Sequence, residues 1–312
     1  MWKGRYKELM FSDDLTKIDT DEGLKLKLFK IPSLYKYRAI NCWSLENLKR
    51  DTAYFSKATD FNDPYDSALT IDKSTIFEKK NKVALLKVFC EKFNVNLSEV
   101  ELVFESLDYK GTLQFFLYHY SPYKDSPELV PGIVDEFMKE DGELYNDYVS
   151  SISKLHQGKV FASCFSESEL SMLMWSHYAN NHSGMCIEYD FNEMDMSDEA
   201  IWGLHPVDYI EELLEFKDYA EEVSENPMLI IQPAISKSIE WSYEKEWRMI
   251  FISEQGVESF NYKISKPKSV ILGARVSEED KSEVLEIAKQ KNIPVKQIQL
   301  DRSKYGLTTV EL

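Results

Sequence analysis

The stretch KSIEWSYEKEWRMIFI, residues 237–252, brings two acidic side chains together at the start of a predicted buried strand. Glu244 and Glu246 are two residues apart, and in an extended segment such residues project from the same face. Aromatic residues flank the pair, Arg248 follows it, and the run then becomes apolar and rich in residues that favour strands. Large rings beside acids indicate a recess. We therefore expect the rest of the chain to build a pocket over these two carboxylates.

Two carboxylates that share a face repel each other, and the pKa of one of them can rise as a result. Such a pair suits a reaction in which one carboxylate stabilises a positive charge and the other accepts a proton. The spacing alone also fits two surface glutamates beside Lys245 and Arg248. Glu246 and Glu244 are thus candidate catalytic residues, and the pair by itself identifies no substrate.

The composition predicts a globular protein with an acidic surface. The chain has 312 residues, of which 43% are hydrophobic, enough for a sizeable core in one large or two modest domains. The net charge is −17, and residues 186–226 contain fourteen Asp or Glu and one Lys. The ordinary interpretation of this run is a solvated surface. Because it would also repel a duplex backbone, we consider a nucleic-acid partner unlikely.

The cysteines and the hydropathy pattern indicate a cytoplasmic protein. No C-x-x-C pair is present, so no zinc site is predicted from spacing. No apolar run approaches the length of a membrane span, and the first residues lack a signal-peptide core. We expect reduced thiols at core positions and no membrane association. The four cysteines are Cys42, Cys90, Cys164 and Cys186.

Residues 1–72 are predicted to form the first part of a β core, and residues 73–155 a helical insertion. A strand is expected over residues 33–40, followed by the helix SLENLKR with Ser44 as its N-cap and then by the strand AYFS. After Lys73 the apolar residues recur at helical spacing with few strand signals, which predicts several helices, plausibly a lid or cap domain.

Residues 156–312 are predicted to complete the β core and to close with a strand, a helix and a strand. VFASCFS reads as a strand, ESELSMLMWSHYA as a helix that stops with Gly184 in a left-handed conformation, and MCIEYDF as the next strand. Near the end, SVILGA is a strand, Ser277 caps a helix, and IPVKQIQLD is the last strand. The pattern as a whole predicts an α+β fold with a mixed β core.

Arg38 and Ser166 are candidate binding residues at the ends of two predicted strands. The planar guanidinium of Arg38 suits a diphosphate or a carboxylate, although an edge arginine with its stem on the surface fits the sequence as well. A hydroxyl at Ser166 can bond a sugar or an anion, or it can cap the following helix. A serine nucleophile is not expected because the G-x-S-x-G elbow is missing.

The segment WSHYANNHSG places histidines and aromatic residues at a predicted helix end. A metal site with His177 and His182 would need a third ligand such as Asp190 or His205, and the H-x-x-x-H spacing is absent, so no metal is predicted. The histidines could instead bond the backbone near the helix end. A third possibility is a ligand cleft in which aromatic rings stack on a planar ring. The residues that would line this cleft are Trp175, His177 and Tyr178.

Several motifs occur in the order known for one bacterial family. They are LYKYR, FSKATDFNDPYD, CFSES, MLMWSHYANNHSGMCIEYD, KSIEWSYEKEWR and VILGARVS. The chain resembles domain of unknown function 2971 over nearly its whole length outside the insertion. That family is not biochemically settled, so this resemblance implies little about function.

A more distant resemblance is to ADP-ribosyltransferases of the arginine–serine–glutamate type, whose split, mixed β-sandwich clasps NAD. These enzymes carry an arginine on the first core strand, a serine at the end of a middle strand and E-x-E at the start of a later strand. The matching positions are Arg38, Ser166, Glu244 and Glu246. The chain departs from the family in having CFS where serine–threonine–serine is usual, and in its large insertion.

The resemblance implies an NAD-directed reaction, either transfer of ADP-ribose to a protein or small-molecule acceptor or cleavage of NAD. Glu246 would stabilise the oxocarbenium ion formed at the nicotinamide ribose, and Glu244 would orient or deprotonate the acceptor. Arg38 would hold the diphosphate or a ribose, and Ser166 the nicotinamide-side ribose. By analogy, the setting would be a bacterial toxin or an anti-phage effector. The residues that would contact the nicotinamide are Trp175, Tyr178 and His177.

Two other functions fit the sequence. The first is a non-enzymatic ligand sensor or interaction module in a defence system. The second is a metal-dependent hydrolase or nuclease that uses His177, His182 and nearby acids.

Overall fold

The chain divides into two compact units. The computed structural model describes residues 2–12, 14–194, 198–253 and 257–312. The first unit comprises Met1–Ala68, Leu155–Leu213 and Asn226–Leu312, and the second comprises Leu69–Lys154 and Leu214–Glu225. The second unit differs from the predicted insertion, residues 73–155, in that it also takes up a short acidic segment from later in the chain.

The α-helices range from single turns to one of 28 residues. They are α1 (Trp2–Phe11), α2 (Thr20–Leu28), α3 (Cys42–Arg50), α4 (Lys79–Phe93), α5 (Leu97–Ser106), α6 (Tyr109–His119), α7 (Val130–Gln157), α8 (Met172–Tyr178), α9 (Glu199–Trp202), α10 (Tyr219–Glu225), α11 (Gln232–Ile235) and α12 (Glu278–Lys291).

The strands are mostly short. They are β1 (Leu34–Arg38), β2 (Thr52–Lys57), β3 (Leu69–Ile71), β4 (Val160–Ser166), β5 (Met185–Tyr189), β6 (Leu204–Pro206), β7 (Asp208–Ile210), β8 (Leu214–Phe216), β9 (Ser236–Ser238), β10 (Glu246–Ile252), β11 (Phe260–Lys263), β12 (Pro267–Leu272), β13 (Val295–Leu300) and β14 (Leu307–Glu311).

A largely antiparallel sheet organises the first unit. Its main path runs β11-β2-β4-β1-β5-β12-β13-β14, and β10 pairs with both β4 and β6. Only β12 and β13 run parallel within it, and α12 is the crossover between them, as parallel neighbours require. The fold is therefore a mixed α/β arrangement, in agreement with the predicted class at that level.

The sheet opens between β1 and β4. These strands are registered at a single position, Tyr35 with Ser166. By contrast, β10 pairs with β4 along its whole length, from Glu246 opposite Ser166 to Ile252 opposite Val160. The single pairing leaves a fork between β1 and β4, and backbone groups in the fork need partners other than the neighbouring strand.

Apolar clusters fix the sheet and its helices in the first unit. Helix α1 contributes Tyr6 and Met10 to a cluster that includes Val160 and Ile250, and Leu24 and Leu26 of α2 pack against this cluster. Helix α8 contributes Trp175, which packs edge-on against Tyr37 of β1. The predicted helix cap at Ser277 is confirmed, since its side chain accepts a hydrogen bond from the Asp280 amide at the start of α12.

The second unit is mainly helical and has its own apolar clusters. Helices α4, α5 and α6 and most of α7 form it, together with the β3–β8 pair and α10. One cluster contains Leu113 and Val130, and another contains Phe104 and Phe116. No helix in the described part of the chain is long and apolar enough to cross a bilayer.

Two local predictions need correction. Helix α3 begins at Cys42, and its N-cap is Asn41 rather than Ser44, which lies two residues inside it and completes a capping box. The left-handed conformation after α8 is adopted by Asn180, Asn181 and His182. Gly184 is needed for a different reason, because a Cβ there would lie 2.2 Å from the carbonyl oxygen of Arg38.

The prediction of core positions for the thiols also fails in part. Cys42 is exposed at the start of α3, Cys90 and Cys164 are partly exposed, and Cys186 is buried. All four thiols are free. The buried face of α3 is formed by Ser44, Leu45 and Leu48, and Cys42 is not part of it.

Candidate functional site

A cavity of about 550 Å³ lies within the first unit, at the fork between β1 and β4. Its volume falls in the range of small-molecule sites, roughly 300–1,000 Å³. Aromatic residues such as Tyr54 and Phe61 contribute to the wall. Five of the seven predicted site residues line it, and these are Arg38, His177, Tyr178, Glu244 and Glu246.

The two glutamates meet through a turn rather than along an extended strand. Residues Ile239–Glu244 form a 3₁₀ helix, and Lys245 follows in the left-handed conformation with φ 46°. The strand β10 begins only at Glu246, whose backbone amide donates to the Tyr209 hydroxyl at 2.8 Å. The prediction that both glutamates share one extended face is therefore wrong in its local geometry, although both carboxylates line the same cavity.

Arg248 is fully engaged by two carboxylates. Its Nε and Nη2 donate to the two oxygens of Glu246, at 2.9 and 3.0 Å. Its Nη1 and Nη2 donate to the two oxygens of Asp66, at 2.5 and 2.7 Å. The second N–H group of Nη1 donates to the Ala234 carbonyl oxygen at 2.8 Å, so all five guanidinium N–H groups have acceptors.

Lys237 joins the two glutamates. Its ammonium lies 2.5 Å from Glu244 Oε2 and 3.0 Å from Glu246 Oε2, and 3.8 Å from Asp66. The Tyr178 hydroxyl donates to the other oxygen of Glu244 at 2.6 Å. Three carboxylates thus surround two cations, Lys237 and Arg248, and all five groups are buried.

The electrostatics separate the two glutamates. Burial on its own raises the pKa of Glu246, but Arg248 and Lys237 outweigh it and hold that pKa well below its usual range. The pKa of Glu244 is raised, because burial and the neighbouring charge of Glu246 exceed the effect of Lys237 and Tyr178. Glu246 is therefore a fixed anion, and Glu244 is the group closer to exchanging a proton.

Arg38 is a basic residue of the cavity without an ion pair among the described residues. Its half-buried guanidinium makes no hydrogen bond or ion pair with any residue that the structure describes. Burial lowers its pKa, and the guanidinium stays charged because an arginine pKa starts from above 12. A buried cation without a counter-charge favours an anionic ligand.

Ser166 and Trp175 have structural contacts instead of lining the cavity. The Ser166 hydroxyl donates to the Glu244 carbonyl at 2.6 Å and accepts from the Ser168 amide at 3.1 Å, which ties the end of β4 to the turn before β10. Trp175 is fully buried, and its indole N–H donates to the Glu169 carbonyl at 2.9 Å. Neither side chain is placed to contact a ligand in the cavity.

The histidines considered as metal ligands each contact different residues. His182 bonds Ser176 at 3.1 Å and stacks on Trp175, while His177 lies beside Tyr243 at the cavity. His205 is buried and pairs with the Tyr6 hydroxyl. Within the described ranges, no group of three or more His, Cys, Asp or Glu could hold a metal ion.

Sequence reasoning missed Asp66, Lys237 and Lys36 as site residues. Asp66 closes the motif FSKATDFNDPYD, and Lys237 opens KSIEWSYEKEWR, so both lay inside stretches that had been singled out. Their motif membership was the available signal. The pairing of Asp66 with Arg248 joins positions 182 residues apart, which no local pattern contains. Lys237 lies only seven and nine residues before Glu244 and Glu246, the two glutamates that it joins.

A family model described as "Protein of unknown function (DUF2971)" matches residues 174–249. The match supports the predicted resemblance to this family over that stretch. It covers His177, Tyr178, Glu244 and Glu246, and it begins well after the cavity residues contributed by β1. No curated protein and no solved structure matches the chain.

Proposed function

We propose that the cavity binds NAD and that the protein transfers its ADP-ribose group or releases it. The observation that carries this proposal is the presence of Arg38, Glu244 and Glu246 in the wall of one cavity. The open fork between β1 and β4 is compatible with the split β-sandwich of ADP-ribosyltransferases, which is part of the same proposal. Tyr178 and His177 offer rings beside the two glutamates for the nicotinamide.

The proposed reaction breaks the bond between the nicotinamide nitrogen and C1 of the ribose. The bonding electrons leave with nicotinamide, and C1 becomes cationic. The fixed anion of Glu246 stabilises that cation. A nucleophile, either water or an acceptor hydroxyl, amine or guanidine, then bonds to C1, and Glu244 receives the proton it loses. The products are nicotinamide, ADP-ribose on the nucleophile, and one proton.

The complete pairing of Glu246 supports a second candidate, a module that binds the nucleotide without cleaving it. Both carboxylate oxygens accept hydrogen bonds from Arg248, and one also pairs with Lys237. A carboxylate whose charge is already neutralised by Arg248 and Lys237 stabilises the positive charge that develops at C1 less than an unpaired carboxylate would. Binding without turnover is therefore the expected behaviour of the non-enzymatic alternative.

The decisive experiment incubates the purified protein with NAD and measures binding by calorimetry and nicotinamide release by chromatography. Under the proposed function, Glu246→Gln retains NAD binding and lowers release by about a hundredfold or more. Glu240→Gln, an exposed glutamate in the same 3₁₀ segment, is the matched control and should release nicotinamide at the wild-type rate. Thermal unfolding of each variant verifies that it is folded.

Binding of NAD without nicotinamide release by the wild type would establish the binding module instead. Absence of NAD binding would remove both candidates.

A further inference from the structure

Lys36 is a buried cation at the fork, and no carboxylate neutralises it. Its ammonium donates to the Ser163 hydroxyl at 2.7 Å and to the Cys164 carbonyl at 3.0 Å, and lies 4.8 Å from the centre of the Phe165 ring. These three contacts are with residues of β4 that line the cavity, as Lys36 itself does. The ammonium therefore lies at the cavity wall, and one of its three N–H groups is left over from the two hydrogen bonds.

Lys36 and Arg38 are two residues apart on β1, so their side chains leave the same face of the strand. Neither forms an ion pair with any carboxylate in the described part of the chain. The buried carboxylates that line the cavity are already committed, because Asp66 and Glu246 pair with Arg248, and Glu244 pairs with Lys237. Asp60 also lines the cavity, but its side chain is exposed to solvent. The β1 side of the cavity therefore carries two basic side chains to which no buried carboxylate is committed.

We propose that Lys36 and Arg38 form a subsite for a diphosphate-like anion, and that Lys36 takes up a proton when the anion binds. The inference deepens the proposed function and rests on it only for the identity of the ligand. Arg38, and Lys36 once it is protonated, favour an anionic group whether or not the ligand is NAD.

A purely structural role is the competing explanation for Lys36. The Cys164 carbonyl lies in the fork where β1 and β4 do not pair, and the ammonium supplies the hydrogen bond that a neighbouring strand would give. That role is satisfied by a neutral amine as well as by an ammonium. It therefore predicts no link between ligand binding and the protonation of Lys36.

The protonation of Lys36 is poised close to neutrality. Burial, and secondly the charge of Arg38 on the same strand, lower its pKa to about 7, while Cys164 of β4 and Glu246 of β10 act weakly in the opposite direction. An anion at the subsite would raise this pKa. Below about pH 7 the lysine is already protonated, so affinity should be independent of pH. Above it, each pH unit should weaken binding by up to about tenfold, until the pKa of the bound state is reached.

The test measures ADP-ribose binding by titration calorimetry at about pH 6 and about pH 8.5, in buffers with different protonation enthalpies. ADP-ribose suits this because its diphosphate stays ionised throughout that range. The wild type should take up close to one proton at the higher pH and almost none at the lower. Lys36→Arg keeps the charge and a donor to Cys164, so it should bind ADP-ribose with no proton uptake and little pH dependence.

Lys289→Met, at an exposed position near the end of α12, is the control for general charge and should behave as the wild type does. Pyrophosphate is the second probe. Its own protonation changes contribute to the proton uptake on binding, and this contribution is subtracted by comparison with Lys36→Arg. Lys36-linked uptake with pyrophosphate, without any ADP-ribose binding, would support the subsite and refute the NAD proposal. ADP-ribose binding without uptake, or uptake that persists in Lys36→Arg, would refute the subsite and leave the NAD proposal standing. Failure of both probes to bind would refute both.

Discussion

Arg248 is the residue on which the candidate site depends most directly. It is 1% exposed and bridges the carboxylates of Asp66 and Glu246, which come from distant parts of the chain. Burying such a set of charges is costly, and only complete pairing makes it tolerable. Removing one member leaves hydrogen-bonding groups of its charged partner unpaired in the core, which is worse than never having buried the set.

Asp66→Asn should therefore destabilise the protein by about 3–5 kcal/mol, because Arg248 keeps its charge and loses its bidentate partner. Urea unfolding at neutral pH measures this as a lower midpoint with an unchanged slope. Asp21→Asn is the matched control, since Asp21 is largely exposed and pairs with Lys25 one turn along α2, and it should leave the midpoint almost unchanged. Equal midpoints for Asp66→Asn and the wild type would mean that the ion pair contributes nothing to stability.

At this scale the sequence predicted that Glu244 and Glu246 lie over one pocket, which both carboxylates do line, but it gave the wrong geometric reason. An extended segment was expected to align Glu244 and Glu246, and a left-handed Lys245 brings them together instead. Their neutralisation was not predictable, because Asp66 lies 182 positions before Arg248 in the chain. A short pattern reveals which residues are unusual, whereas their charge state depends on partners that only the folded sheet supplies.

Among the elements, α2 carries the least expected contact. Lys27, near its C-terminal end, is fully buried, and its ammonium donates to the Trp202 carbonyl at 2.6 Å and to the Ile201 carbonyl at 3.4 Å, at the end of α9. Carbonyl groups at a helix C-terminus need donors, so the lysine caps α9. No carboxylate in the described chain forms an ion pair with Lys27, and burial lowers its pKa to about 7.

This contact predicts a stability that rises with pH above neutrality. An unfolded lysine keeps its proton up to about pH 10.4, so between about pH 7 and pH 10 the unfolded chain binds more protons than the folded one. Stability should then increase by up to roughly 1.4 kcal/mol per pH unit for each such lysine. Burial lowers the pKa of Lys36 as well, so this lysine also makes stability rise with pH. Lys27→Met should therefore reduce the slope of stability against pH by about half rather than abolish it.

Urea unfolding at several values from about pH 7 to pH 8.5 measures this slope. The range stops there because thiols whose pKa is raised by burial, such as Cys186, act in the opposite direction above about pH 8.5. Lys289→Met, which removes an exposed lysine, should keep the full slope. A wild-type stability that is flat or falls over this range would contradict a buried, neutral Lys27.

Elements with strong local signals were predictable, and those defined by tertiary pairing were not. The helix α12 follows from its cap at Ser277, its acidic first turn and its basic last turn. The three-residue strands β8 and β9 carry no periodicity of their own, and they exist because Leu69 pairs with Leu214 and because Ser236 pairs with Asp208. Segments this short adopt the conformation that their neighbours impose.

For the whole molecule, the two units bury separate cores. The clusters around Phe116 and Leu113 belong to the second unit, whereas every residue that lines the candidate cavity belongs to the first. Each apolar cluster stabilises the unit that contains it, because burial of apolar surface is a local contribution. Ligand binding and the stability of the second unit should accordingly be separable.

Phe116→Ala tests this separation. The ring is fully buried, so its loss should destabilise the second unit by about 3–5 kcal/mol. At a temperature where the variant is still folded, its affinity for ADP-ribose should match that of the wild type. Calorimetric unfolding should show an early transition that ADP-ribose does not shift, and a later one that it raises through preferential binding to the folded first unit.

Ile287→Ala, a core truncation on α12, is the counterpart and should lower the ligand-sensitive transition. A single transition that both substitutions lower equally, and that ADP-ribose raises in both, would show that the two units unfold as one.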